Sequence, residues 1–290
     1  MKLTVAQRGA LWMISGVFCM ASMDVMAKML GHIVPVAQIV WLRFVSQAII
    51  IGLFLIISGQ SLLGSNHFRL HALRGFSTTV SSYLFFLAII YLPLADATAL
   101  MQVAPVMVTL GAVLVLREPI GKRRIFGITA AFIGAMILIR PGTSVMTTMS
   151  LLPFIGAVFF TIYALATRFV RGDGPWKALF YQGVFGSCFA SIIVPFFWQP
   201  IAHNDIPILI ALILLGILGH LFIIQALAIA QASDIAPFGY AGLLFAIIFG
   251  IVIFGEIPDV ITLLGAIIIV SAGVYVWYRE RLAEAKIKND

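Results

Sequence analysis

The chain has 290 residues, 62% of them hydrophobic and only 10% charged, with a mean hydropathy of +1.12 and a formal net charge of +7. Soluble domains carry about 25% charged residues, so a water-facing globule of this size is excluded for want of polar residues to clothe it. The apolar residues fall in blocks of roughly 20, the length that spans a hydrocarbon core, and the sequence reads as an all-α integral membrane protein.

Apolar runs between breakers predict about ten transmembrane helices, at 10–30, 36–58, 70–91, 94–116, 123–140, 149–170, 176–198, 206–230, 233–254 and 259–279. The first contains "CMASMDVMAKMLG", which sets Asp24 and Lys28 four residues apart in an apolar segment. A signal peptide is another reading of Lys2, Arg8 and the apolar run after them. No small-residue cleavage site follows, and Asp24 interrupts the apolar stretch, so the span is expected to be retained. The second span holds Trp41 and Arg43, and the third the hydroxyl-rich run "STTVSSY". The fourth starts at Asp96, contains Gln102 and Pro105, and ends at Glu118. The sixth and seventh contribute Tyr163 and Tyr181, the eighth His220, and the ninth Tyr240 between Asp234 and Glu256. Cys19 and Cys188 lie in apolar segments with neither metal-ligand nor disulfide spacing, and read as packing residues.

With the amino terminus in the cytoplasm, fifteen of the 18 Lys and Arg residues fall on the inner side. Lys28 and Arg140 fall outside, and Arg43 lies within a span. The basic charge is therefore an orientation signal, with both termini cytoplasmic, and not a nucleic-acid footprint. The chain also repeats itself. Asp96, Glu118 and Gly127 recur 138 residues later as Asp234, Glu256 and Gly265, while Gly16, Lys28 and Pro35 recur 140 residues later as Gly156, Arg168 and Pro175. Five spans per half is an odd number, so the second half enters from the opposite face. Two inverted five-helix repeats follow, with a solute site expected between them near the midplane.

"MDVMAKMLG", "QIVWLRF", "HALRG", "YLPLADATAL…APVMVTLGAVLVLREPIG" and "GITAAFIGAMILIRPG" resemble the EamA domain of the drug/metabolite transporter superfamily, and "ASDIAPFGYAGLLFAIIFGIVIFGEIPD" is similar to the matching part of a second such domain. The resemblance implies EamA-like repeats at 10–140 and 149–279, a central cavity and alternating access. It also implies transport of small organic solutes such as amino acids, nucleotide-like metabolites, vitamins and drugs. The first-half motifs are most similar to a subgroup containing S-adenosylmethionine and riboflavin carriers. Phe238-Gly239-Tyr240 departs from the common pattern in the region that faces the cavity in relatives.

Acid before base at i,i+4 is the favourable helix order, and an unpaired charge in a span costs about 2.5–3.5 kcal/mol on insertion scales. Arg43 lies about eight residues, roughly 12 Å of rise, from the outer end of its span, close to the depth of Asp24. Asp24, Lys28 and Arg43 are expected to form an outward-side polar cluster on the cavity; the alternative is a structural salt bridge between the first two helices. Gln102 and Tyr240 are repeat equivalents and the favoured solute contacts, because relatives place cavity-lining residues on these helices. Ser81 and Tyr83, with Ser82, offer donors to a solute or serve close helix packing. His220 is a solute contact, a proton carrier or a helix–helix hydrogen bond. Tyr163, Tyr181 and Trp41 complete the candidates, Trp41 alternatively anchoring the membrane interface. Pro105 suggests a hinge in the fourth span, although its repeat equivalent is Leu243. Asp96 and Asp234 read as helix caps, and Glu118 and Glu256 as braces for connecting loops.

The function expected is a secondary transporter for an amphipathic or zwitterionic metabolite, such as an amino acid or an S-adenosylmethionine-like or vitamin-like solute. A membrane-embedded enzyme and a channel are the alternatives. No HExxH, GxSxG, metal-ligand cluster or GxxxxGK[ST] loop occurs. No catalytic residue, metal or cofactor is expected, and the partners are a small-molecule solute and the lipid bilayer; nothing selects an oligomeric state.

Overall fold

Proline and glycine set several helix ends. The structure is a computed structural model and describes residues 5–62, 64–65, 67–116, 122–139, 148–230 and 236–287. Its α-helices are α1 (Val5–Gly31), α2 (Val36–Ile57), α3 (Phe68–Tyr91), α4 (Leu94–Met101), α5 (Ala104–Leu116), α6 (Lys122–Ile139), α7 (Leu151–Phe169), α8 (Pro175–Ile193), α9 (Ile206–Ile229), α10 (Ala241–Phe254) and α11 (Val260–Ile287). Pro35 and Pro93 sit at the N-caps of α2 and α4, and Pro175 opens α8, where a missing N–H is harmless. Five helices are long and apolar enough to cross a membrane, and five shorter apolar helical stretches supply the remaining spans among the described residues. The protein is an all-α multi-pass membrane protein of two five-helix repeats.

Several spans differ in extent from the sequence expectation: α1 is helical from Val5 and α11 to Ile287, whereas α8 ends at Ile193 and α10 opens at Ala241. The expected assignments at Glu118, Arg140 and Asp234 lie outside the described residues. At one end of the bundle, here called distal, the connections after α1, α3 and α10 come together. At the proximal end, the connections after α2 and α7 meet. Because α1 runs from proximal to distal and α7 from distal to proximal, the halves are inverted.

Packing carries the same symmetry. The most extensive helix contacts are α1 with α9 and α3 with α7, which the inversion exchanges, followed by α6 with α11 and α2 with α8, each of which it maps onto itself. Backbones approach closely at equivalent places. A Cβ at Gly16 would lie 3.1 Å from the Gly219 carbonyl oxygen, and one at Gly156 would lie 3.4 Å from that of Ser81. Gly16 and Gly156 are repeat equivalents, as are Ser81 and Gly219. Lipid tails are as apolar as Leu, so close packing of small residues contributes more here than hydrophobic burial between helices. Apolar side chains such as Ile57, Phe196 and Ile257 accordingly remain exposed on the outer surface.

Gly183 of α8 is the tightest test of this packing, because a Cβ there would meet the backbone of Ala48, 2.7 Å from its nitrogen and 2.9 Å from its Cα. Backbone cannot yield as a flexible side chain does. Gly183→Leu is expected to destabilise the protein by about 3 kcal/mol, the upper range for overpacking. Thermal unfolding in detergent measures this, and an unchanged midpoint contradicts the packing.

The fourth span is not continuous. α4 ends at Met101, Gln102 and Val103 form a turn, and α5 begins at Ala104. Pro105 has no N–H for the Met101 carbonyl four residues back, and its ring crowds that carbonyl. The Val103 N–H bonds instead to Leu100 O at 3.3 Å, and regular spacing resumes with Met107 N–H to Val103 O at 3.0 Å. In the second half a 3₁₀ helix, Ala236–Tyr240, precedes α10. The two irregularities meet at equivalent positions, Gln102 and Tyr240. The prolines differ in position, but a non-α segment lies at the equivalent place in each half, within the fourth span and directly before α10.

Candidate functional site

Those irregular segments border a cavity of about 150 Å³ between the halves. α1 contributes Val17, Met20, Ala21 and Asp24, spaced so that they share one helix face. Leu94, Thr98 and Gln102, at steps of four, come from α4 and its end. Gly239, Gly242 and Ala246 come from the 3₁₀ helix and α10. The glycines bring backbone to the cavity wall. Drug-sized ligands occupy pockets of about 300–1,000 Å³, so a solute of vitamin size requires the helices to part.

Asp24 is half-buried, lines the cavity from α1, and accepts no hydrogen bond among the described residues. Arg43 of α2 acts on it electrostatically. Arg43 is 3% exposed, and its guanidinium carbon lies 5.0 and 5.9 Å from the ring centroids of Phe44 and Phe86. Its Nη1 donates to Ser82 Oγ at 2.8 Å, while its Nε has no partner among the described residues. Arg43 thus stands behind the cavity wall. Ser82 and His220 are repeat equivalents, and the field of Arg43 reaches His220 as well.

Lys28 belongs elsewhere. Its ammonium donates to Leu92 O at 2.8 Å and to Glu256 Oε1, and lies 5.0 Å from the Phe254 ring centroid. The i,i+4 partnership with Asp24 expected from sequence does not form. Glu256 is placed by Gly255, whose left-handed backbone (φ 67°) lets the Glu256 N–H bond back to Gly250 O at 2.9 Å. Glu256 Oε2 also accepts the Leu94 N–H at 2.8 Å. An acid from the second half therefore caps α4, where the helix dipole favours negative charge. Asp96, read from sequence as the cap, lies within the first turn of α4, and Pro93 occupies the N-cap position.

Other sequence candidates also fall outside the cavity wall. Tyr240 packs its hydroxyl against Gly273 of α11. His220 Nδ1 donates to Gly216 O at 2.9 Å, one turn back in its own helix. Trp41 donates to Ser191 Oγ at 2.7 Å and stacks edge-on with Trp198 at the distal end. Ser81 is buried at the α7 crossing, and Tyr83 packs against the apolar core. Of the candidates, Asp24 and Gln102 line the cavity together. Sequence reasoning missed Thr98, whose Oγ1 is buried without a partner among the described residues; its spacing of one turn from Gln102 was the available signal.

Tyr163 and Tyr181 join a separate proximal network. Tyr163 lies under the Arg74 guanidinium at 5.3 Å, and Tyr181 stacks on His71 at 4.5 Å. His71 Nε2 donates to Asp173 Oδ2 at 2.8 Å, and its Nδ1 accepts from Arg74 Nη1 at 3.1 Å, which fixes a neutral tautomer. Arg74 Nε also donates to Thr167 Oγ1 at 2.9 Å, and Ser65 Oγ donates to Asp173 Oδ2 at 2.5 Å.

The Ser65 bond, helped by His71, holds the Asp173 carboxyl below its ordinary value of 3.8. This contribution to stability is fully present above the unfolded-state value and is lost as pH falls through the lower folded value. Asp173→Ala leaves the buried His71 N–H without its acceptor, an expected loss of about 1–3 kcal/mol. Thermal unfolding near neutral pH measures it; no loss there contradicts the network.

Two inverted helical repeats closing on a small cavity at their junction define the class of membrane carriers for small solutes. The chain belongs to the EamA-like transporter family, which it matches over residues 7–140 and 147–278. It is 26% identical to the S-adenosylmethionine uptake transporter of Rickettsia prowazekii, over 94% of this chain and 93% of that protein. It is 27% identical to the riboflavin transporter of Vibrio cholerae, over 97% of each, and 25% identical to the pseudopaline exporter CntI of Pseudomonas aeruginosa, over 94% and 96%. A solved crystal structure shares the fold with a TM-score of 0.66 at 15% identity, over 92% of this chain and 96% of that one.

Proposed function

We propose that the protein is a secondary carrier that moves an amphipathic or zwitterionic metabolite across the cell membrane by alternating access. The observation that carries this reading is the cavity between the halves, apolar except for Asp24, Thr98 and Gln102. The relatives support it, since they are named as transporters of S-adenosylmethionine, riboflavin and pseudopaline. The working units are the repeats at 10–140 and 149–279, and the excess of Lys and Arg on one side supports cytoplasmic termini. Asp24 and Gln102 contact the solute. Arg43 supports Asp24 from behind, and Lys28 and the proximal tyrosines hold the helices.

Purified protein reconstituted in vesicles loaded with a cellular metabolite extract tests the reading, with release followed by mass spectrometry against protein-free vesicles. Selective, saturable loss of a few compounds is expected. Non-saturable loss favours a channel and conversion to product an enzyme. Absence of selective loss from vesicles holding folded protein overturns the proposal.

A further inference from the structure

We infer that Asp24 selects solutes that carry a cationic centre, which docks against its carboxylate in the cavity between the halves. This rests on the carrier reading above and makes it specific in charge.

Sign of charge is the first argument. Asp24 is the one ionisable side chain among the described residues that line the cavity. The two nearby cations are committed elsewhere: Lys28 to Leu92 and Glu256, Arg43 to Ser82 and the faces of two Phe rings. Arg43 supplies long-range positive charge without occupying the carboxylate's acceptor sites. Those sites are left for a ligand, since a buried polar group without a partner is costly. The second half offers no counterpart, because the position equivalent to Asp24 is Ala164.

The remaining wall defines the rest of the solute. Val17, Ala246 and the polarisable thioether of Met20 suit an apolar or ring-bearing portion beside the cationic centre. Thr98 and Gln102 face the same cavity from α4, and the Thr98 hydroxyl, without a partner among the described residues, is ready for a hydrogen bond. A solute whose only charge is a carboxylate or phosphate would meet like charge at Asp24, which strongly disfavours binding. The class is an organic cation or a zwitterion with its positive centre at this end.

The test uses a defined panel rather than an extract. Vesicles holding the full chain, with equal pH on both sides and the membrane potential clamped at zero, are loaded with S-adenosylmethionine, its uncharged-thioether counterpart S-adenosylhomocysteine, choline, riboflavin and pantothenate. A cationic member, S-adenosylmethionine or choline, is expected to leave at least about tenfold faster than riboflavin and pantothenate, the scale of one charge-assisted contact. S-adenosylhomocysteine, which keeps the α-ammonium but lacks the sulfonium, is expected to leave faster than riboflavin and pantothenate and no faster than S-adenosylmethionine. Asp24→Asn should collapse these ratios toward unity, while Asp24→Glu keeps their direction. Equal or faster loss of the neutral or anionic members overturns the inference and leaves the carrier reading standing. Retention of the preference in Asp24→Asn also overturns it. If no member of the panel leaves, the inference fails, and the extract experiment decides the carrier reading separately. Should the variants fail to fold, the wild-type ratios alone support or overturn the assignment.

Discussion

Asp24→Asn is expected to weaken solute binding by about 10- to 100-fold while the protein keeps its fold, the loss of one charge-assisted hydrogen bond or ion contact. The carboxylate faces a cavity and accepts no hydrogen bond from a described residue, so the isosteric amide breaks no such bond within the protein. Its effect should appear in the concentration at half-maximal transport and in solute-induced thermal stabilisation. An unchanged unfolding midpoint without solute shows that the fold is intact. The one internal consequence is at Arg43, which loses a nearby opposite charge but keeps Ser82 and its aromatic neighbours. Unaltered transport by a folded Asp24→Asn protein would falsify the role assigned to this residue.

Removing either member of the Lys28–Glu256 pair is expected to have the largest effect on stability. Lys28 is 4% exposed near the distal end, and Glu256 serves both its ammonium and the first N–H of α4. Breaking a buried ion pair from one side costs about 3–5 kcal/mol, because the surviving charge is left uncompensated in a low dielectric. Glu256→Gln and Lys28→Met should each lower the unfolding midpoint in detergent. Their combination should be less damaging than the sum, since no isolated charge remains, although the cap on α4 is weakened. Additive effects would show that the two side chains do not act as a pair. The same geometry couples stability to motion: any distal opening that separates α1 from the end of α10 must break this contact.

Several features were legible before any tertiary structure. Too few charges for a soluble surface and apolar blocks of spanning length established the membrane class, because a hydrocarbon interior admits only helices or closed barrels. The repeat landmarks established two halves of odd span number, hence inversion. They also aligned Gln102 with Tyr240, where the structure places both departures from α geometry. Asp24 was conspicuous because ionisable residues are costly within a span.

Other assignments needed three dimensions. Lys28 sits one helical turn from Asp24, yet its partner is Glu256, 228 residues away. Local spacing identifies side chains that could meet within a helix; it does not rank them against a charge brought alongside by another helix. Tyr240 turns to Gly273 while the glycines around it line the cavity, a distinction of side-chain direction that repeat alignment does not carry. The reason is general to membrane helices. With lipid on one side and apolar neighbours on the other, hydrophobic residues suit nearly every face, and the pattern that marks the buried face of a soluble helix is largely erased. The sequence by itself determined how many times the chain crosses, how its halves are related and which charges are exceptional. Only the tertiary structure decided which of those charges neutralise one another and which one is left facing the cavity.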